Sequence, residues 1–78
     1  MEVNNLITNI LLDKLGVEEV SSDDHLIEDI GCDSLDIMEL VMEFERVFEI
    51  SILDDEVDNN FTTVGHLIDF IQTKVNNK

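Results

Sequence analysis

The stretch GCDSLDIMEL, Gly31 to Leu40, sets one hydroxyl between carboxylates: Ser34 follows Asp33 directly and stands two residues before Asp36. Three kinds of chemistry are open to a serine placed there. It can cap a helix, its oxygen accepting from the N–H groups of the first turn. It can act as a nucleophile, which needs a base to take its proton and a third group to orient that base. It can also be an attachment point, because the free N–H groups and positive dipole end of a helix favour a phosphate bound at its start.

Asp33 can do the capping in place of Ser34, and Asp36 three residues later resembles the partner position of a capping box, with aspartate in both roles. Ser34 then becomes the first helical residue, its hydroxyl outward and available. For the nucleophile reading the only histidines are His25, which reads as a loop surface residue, and His66, one turn into a later helix and solvated or partly buried. A chain of 78 residues has little room for an oxyanion hole, a substrate pocket and rigid support for both, so no enzyme is expected.

Presenting Ser34 requires a helix behind it, and Ser34 to Glu49 reads as the longest in the chain. Upstream, Leu6, Ile7, Ile10, Leu11 and Leu15 fall at helical spacing between Asn4 and Leu15, with Asn4 or Asn5 as N-cap and Gly16 just past the end. From Val17 to Asp33 no period is sustained, and Ser21-Ser22-Asp23-Asp24 is a turn signal. A long connection is therefore predicted, tacked onto the core by Leu26, Ile27 and Ile30. Leu53 to Asp58 suits one or two short helical turns, and Val64, Leu67, Ile68, Ile71 and Val75 describe a last helix capped by Thr62 or Thr63. The predicted fold is all-α, a small bundle of three main helices plus one short helix, as a single domain over residues 1–78.

Charge and composition narrow the function. With 19 acidic residues against 4 basic ones the net charge is −15, which argues against nucleic acid and for basic partner surfaces. A hydrophobic content of 44%, periodically arranged, argues for packing rather than disorder. One cysteine excludes an internal disulfide, and no Cys/His pairs stand at zinc spacing, so no metal is expected. EF-hand calcium binding is excluded too, since Gly31 and Gly65 both lack the preceding ligands. No apolar run approaches the roughly 18 residues of a membrane span, and MEVNNLITNI lacks the basic flank of a signal peptide. A cytoplasmic monomer without membrane contact is the expectation.

The long helix carries two apolar stripes. At 100° per residue Ile37, Leu40, Val41, Phe44 and Phe48 share a face, with Val47 at its border, and suffice for the core. Leu35, Met38 and Met42 lie nearly opposite, among Glu39, Glu45 and Glu49. Either they are ordinary exposed residues, or the loop from Val17 to Asp33 covers them, or they form an apolar strip edged by acids on which a basic partner docks.

Gly31-Cys32-Asp33-Ser34-Leu35-Asp36, followed by Met38-Glu39-Leu40-Val41-Met42 and Phe48, resembles the phosphopantetheine attachment motif and second helix of the acyl carrier proteins, most of all the bacterial type that serves fatty acid synthesis. The resemblance extends to Leu15-Gly16-Val17, Phe44-Glu45, Ile50-Ser51-Ile52 and Thr62-Thr63-Val64; Cys32 stands where alanine is usual and Leu53 where proline is common. It implies 4′-phosphopantetheine carried covalently on Ser34, installed from coenzyme A by a phosphopantetheinyl transferase that Asp33 helps to receive. It further implies acyl cargo held as a thioester and a recognition face of Leu35, Asp36, Met38, Glu39, Met42 and Glu45 for fatty acid synthase enzymes with basic surfaces. Within the family, a carrier of polyketide or aminoacyl intermediates is the alternative. A core of Ile, Leu, Val and Met with only 4 Phe and no Trp or Tyr suits an aliphatic chain stored partly between the helices.

Overall fold

Helical periodicity is realised wherever it was read. In the computed structural model, which describes residues 3–78, α1 spans Val3–Leu15, α2 Ser34–Phe48, α3 Asp54–Asn60 and α4 Val64–Asn76. No strand occurs among the described residues, only an isolated bridge between His25 and Thr63. Helix α1 packs against α2 and α4, while α3 leans on α4. No helix among the described residues is long and apolar enough to cross a membrane.

The core face of α2 is the one expected: Ile37, Leu40, Phe44 and Phe48 are buried, and Val41 and Val47 half-buried. Phe44, wholly buried, lies 6.3 Å from the rings of both Phe48 and Phe61, stacked on the first and edge-on to the second. Ile7, Ile10 and Leu11 of α1 and Val64, Leu67 and Ile71 of α4 close the core around it.

Helix starts follow the caps with one correction. Thr63, not Thr62, caps α4, its hydroxyl accepting from the N–H of His66 at 3.2 Å. Neither Asn4 nor Asn5 caps α1: the helix already includes Val3, whose apolar side chain packs against the core, and both asparagines lie within the first turn. Gly16 ends α1 at φ 68°, where its N–H still reaches the carbonyl of Leu12 at 3.0 Å. Helix α2 stops at Phe48, one residue before the predicted end, because Glu49 takes the left-handed conformation at φ 54°. The ammonium of Lys78 donates to the Phe48 carbonyl at 2.9 Å, satisfying an acceptor the helix end leaves open.

The long connection is fastened to the start of α4 by backbone bonds. Leu26 N–H donates to Thr62 O at 2.8 Å, Val64 N–H to Asp24 O at 2.9 Å and Gly65 N–H to Ser22 O at 2.9 Å. A side chain at Gly65 would meet Ser22 at 3.2 Å, so the close approach of the two segments depends on that glycine. Leu26 is buried and Ile30 half-buried as expected, but Ile27 does not tack the loop to the core: it is 53% exposed.

The two faces of α2 predict opposite mutational responses. Phe44→Ala should cost about 3–5 kcal/mol through the cavity it leaves, whereas Met42→Ala should stay within about 0.5 kcal/mol. Urea unfolding of both variants checks the assignment; a silent Phe44→Ala would show the faces to be reversed.

Candidate functional site

Asp33, extended at φ −105° and ψ −175°, caps α2: its Oδ1 accepts from Asp36 N–H at 2.9 Å, and Asp36 Oδ2 accepts from Asp33 N–H at 3.3 Å. The carbonyl of Asp33 takes the N–H of Ile37 at 3.0 Å. Ser34 is thus the first helical residue, exposed, and its hydroxyl has no hydrogen-bond partner among the described residues. The N–H groups of Ser34 and Leu35 likewise find no backbone acceptor there, the ordinary state of a first turn.

Among the described residues neither histidine is hydrogen-bonded to this hydroxyl. Nδ1 of His25 accepts from the N–H groups of Ile27 and Glu28, and Nε2 of His66 is 3.1 Å from Asn60 Oδ1. Cys32 is buried, which pushes its thiol up, and the Asp36 and Asp33 carboxylates add to the shift. At neutral pH it is a protonated thiol with little nucleophilic character. No cluster of metal-ligating side chains occurs among the described residues.

The second stripe of α2 is uncovered: Leu35 is 63% exposed, Met38 62% and Met42 60%, so the loop from Val17 to Asp33 does not shield them. The stripe divides, however. Met38 and Met42, with Ser34 and Glu45, line a groove of about 620 Å³ between α2 and α3, whereas Leu35, Asp36 and Glu39 lie outside it. The rest of its wall is Ile27, Ile37, Val41, Ile52, Val57 and Phe61, with the carboxylates of Asp54 and Asp58. Its volume falls within the range of small-molecule sites, and its lining is predominantly apolar with a few polar groups, as such sites usually are.

Sequence reasoning missed the α3 half of this groove. Ile52 and Phe61 are buried residues bracketing α3, and Val57 is half-buried; apolar residues spaced through an acidic segment were the available signal. It also missed that Glu45 accepts from Ile52 N–H at 2.9 Å, holding the chain where it leaves α2 for α3. Helix α3 starts at Asp54 without a proline. Leu53 offers no side-chain acceptor, so only the reverse half of a capping box forms, Leu53 N–H donating to Glu56 Oε1 at 3.0 Å. Lys74 lies 2.8 Å from the same carboxylate and, with that backbone bond, holds its pKa below the usual value.

This chain has relatives among known proteins. The family model described as the phosphopantetheine attachment site matches residues 5–71. An acyl carrier protein of Amoebophilus asiaticus is 40% identical over 99% of this chain and 98% of its own length. One from Exiguobacterium sibiricum is 42% identical over 88% of this chain and 89% of its own. The crystal structure of an acyl carrier protein from Thermotoga maritima superposes with a TM-score of 0.79 at 33% identity, covering 99% of this chain and 94% of that one.

The capping geometry sets a test of what Asp33 contributes. Asp33→Ala should cost about 1 kcal/mol, and Asp33→Asn, which keeps an acceptor, only a few tenths. Equal losses in the two variants, measured by thermal unfolding, would assign the effect to charge rather than to the cap.

Proposed function

Because the chain belongs to the acyl carrier protein family, we propose that Ser34 is its phosphopantetheine attachment serine and that it carries fatty acyl intermediates in the cytoplasm, without catalysing their conversion. The observation that carries this reading is the free, exposed hydroxyl of Ser34 on the first residue of a capped helix and on the wall of an apolar groove.

The residues present fit the group. Attachment joins Ser34 Oγ to the phosphorus of the pantetheine arm as coenzyme A releases its adenosine bisphosphate and the hydroxyl gives up its proton. The resulting phosphodiester bears one negative charge, and the unshared N–H groups of Ser34 and Leu35 with the helix dipole favour it there. Asp33 holds the start of the helix so that these donors stay exposed, although its charge and that of Asp36 oppose the phosphate. Once bound, the group supplies the thiol on which cargo rides as a thioester.

Leu35, Asp36, Met38, Glu39, Met42 and Glu45 are the proposed recognition face for the transferase and for basic fatty acid synthase enzymes. Met38 and Met42 are exposed and adaptable anchors, while Asp36 and Glu39 steer basic surfaces. The groove beside them is the proposed berth for the acyl chain.

Incubation with coenzyme A, magnesium and a broad-specificity transferase should add one phosphopantetheine mass to the wild-type chain and none to Ser34→Ala. Labelling that persists in the variant would overturn the assignment.

Cargo is tested separately. Each buried methylene contributes roughly 0.8 kcal/mol, so the melting temperature of loaded forms should climb from two carbons towards about eight and then level off. A flat series would favour a polar cargo such as an aminoacyl group.

A further inference from the structure

The turn after His25 is built like the start of a helix, with an imidazole where a hydroxyl or carboxylate is usual. Nδ1 accepts from the N–H groups of Ile27 at 3.2 Å and Glu28 at 3.3 Å, the second and third residues beyond it. In return the backbone N–H of His25 donates to Asp29 Oδ2 at 2.7 Å, and its carbonyl accepts from Asp29 and Ile30, both at 3.0 Å. The bonds are reciprocal as in a capping box, except that the returning carboxylate stands four residues after the cap instead of three. A serine or aspartate in the same role would be indifferent to pH near neutrality. A ring nitrogen accepts only while it bears no proton, so this cap requires the neutral imidazole with its hydrogen on Nε2.

The capped turn leads directly to Ser34. Leu26, fully buried, donates to Thr62 O and accepts from Cys32 N–H at 2.9 Å. After buried Cys32 come Asp33, the cap of α2, and Ser34, while Ile27 lines the groove that Ser34 also lines. The path to the serine therefore hangs from the imidazole cap, the Leu26 anchor and the Leu26–Cys32 bond.

We propose that His25 is a positioning residue for the Ser34 segment, holding Ile27 and the approach to α2 in place when neutral and releasing them when protonated. Protonation places an N–H against those of Ile27 and Glu28, so the cap is replaced by a repulsive contact. The charged side chains bonded to this turn among the described residues come from its own loop: Asp29, on the His25 N–H, and Asp24, whose Oδ2 accepts from Ser21 N–H at 2.9 Å, with Glu28 beside them in the chain. From the α4 side His25 pairs with Thr63, next to Thr62, and neither titrates; His66, one turn on, has its ring on Asn60. Acidification is thereby turned into slower modification of the serine.

The test compares the wild type with His25→Asn, which keeps an acceptor that does not titrate, and His25→Ala, which has none. In nuclear magnetic resonance spectra of the unmodified protein, recorded from about pH 7.5 down to about 5.5, the Ile27 and Glu28 amide signals should move together with those of the His25 ring, starting from the Nε2–H tautomer. In His25→Asn they should stay still.

Rates of phosphopantetheine transfer are read as the ratio of wild type to His25→Asn at each pH, which cancels the transferase's own pH dependence. The ratio should be near one at about pH 7.5 and fall about threefold by pH 5.5, with His25→Ala slow throughout. A flat ratio, or amides that ignore the ring, would overturn the proposal. The kinetic readout rests on Ser34 being the attachment serine, whereas the spectra do not: if no variant is modified at any pH, that assignment fails and the amide signals still decide the cap.

Discussion

The hydrogen-bonded start of α2 fixes the rotational phase of a helix that must serve two sides at once. With Asp33 and Asp36 exchanging N–H bonds, the first helical residue is Ser34 and every later position follows at 100° steps. Ile37, Leu40, Phe44 and Phe48 then turn into the core that α1 and α4 also enter, and Met38 and Met42 line the groove. A start one residue later would leave the core contacts to set the phase alone and would make Ser34 itself the cap, its hydroxyl engaged by the N–H groups of the first turn. Stability and presentation of the serine are therefore not separable contributions from different parts of the chain; both are read from one helix.

Charge is distributed with the same division. Lys14 reaches from α1 to Glu43 of α2 at 3.9 Å, Lys74 from α4 to Glu56 of α3 at 2.8 Å, and Lys78 to the carboxyl end of α2 at 2.9 Å. Arg46 stays within α2, 2.7 Å from Glu43, and holds that carboxyl below the usual carboxylate range. Surface ion pairs add little stability each, but in a chain of net charge −15 the three lysines stand where one helix meets another or ends. None lines the groove, whose charged residues are Glu45, Asp54 and Asp58. The groove beside Ser34 is left without a cation and edged by carboxylates, the charge that would complement the basic partners proposed above.

Local rules made much of this visible in the sequence. The caps at Asp33 and Thr63, the end at Gly16 and the core stripe of α2 each depend on residues a few positions apart, and such signals survive folding unchanged. Asn4 and Asn5 misled because a good capping residue is also tolerated inside a helix when an apolar neighbour, here Val3, draws the start upstream. Ile27 misled because an apolar residue in an aperiodic loop carries no information about which surface it meets. The groove was illegible for a deeper reason: Val41 and Met42 come together with Val57 and Phe61 only through tertiary packing, and no spacing encodes that meeting.

The less stable wall of that groove is also the shorter one. Helix α3 has seven residues, none buried, and four of them are acidic, so neither propensity nor packing of its own would sustain it. It is held from outside, by Ile52 and Phe61 in the core at either end, by Glu45 on the Ile52 N–H, and by Lys74 on Glu56. An aliphatic chain laid in the groove would cover Met38, Val41, Met42 and Val57 without displacing Phe44 or Leu40, which are already fully enclosed. Apolar burial then adds to existing packing instead of replacing it. Any movement needed to admit it would fall first on α3, which buries none of its own residues.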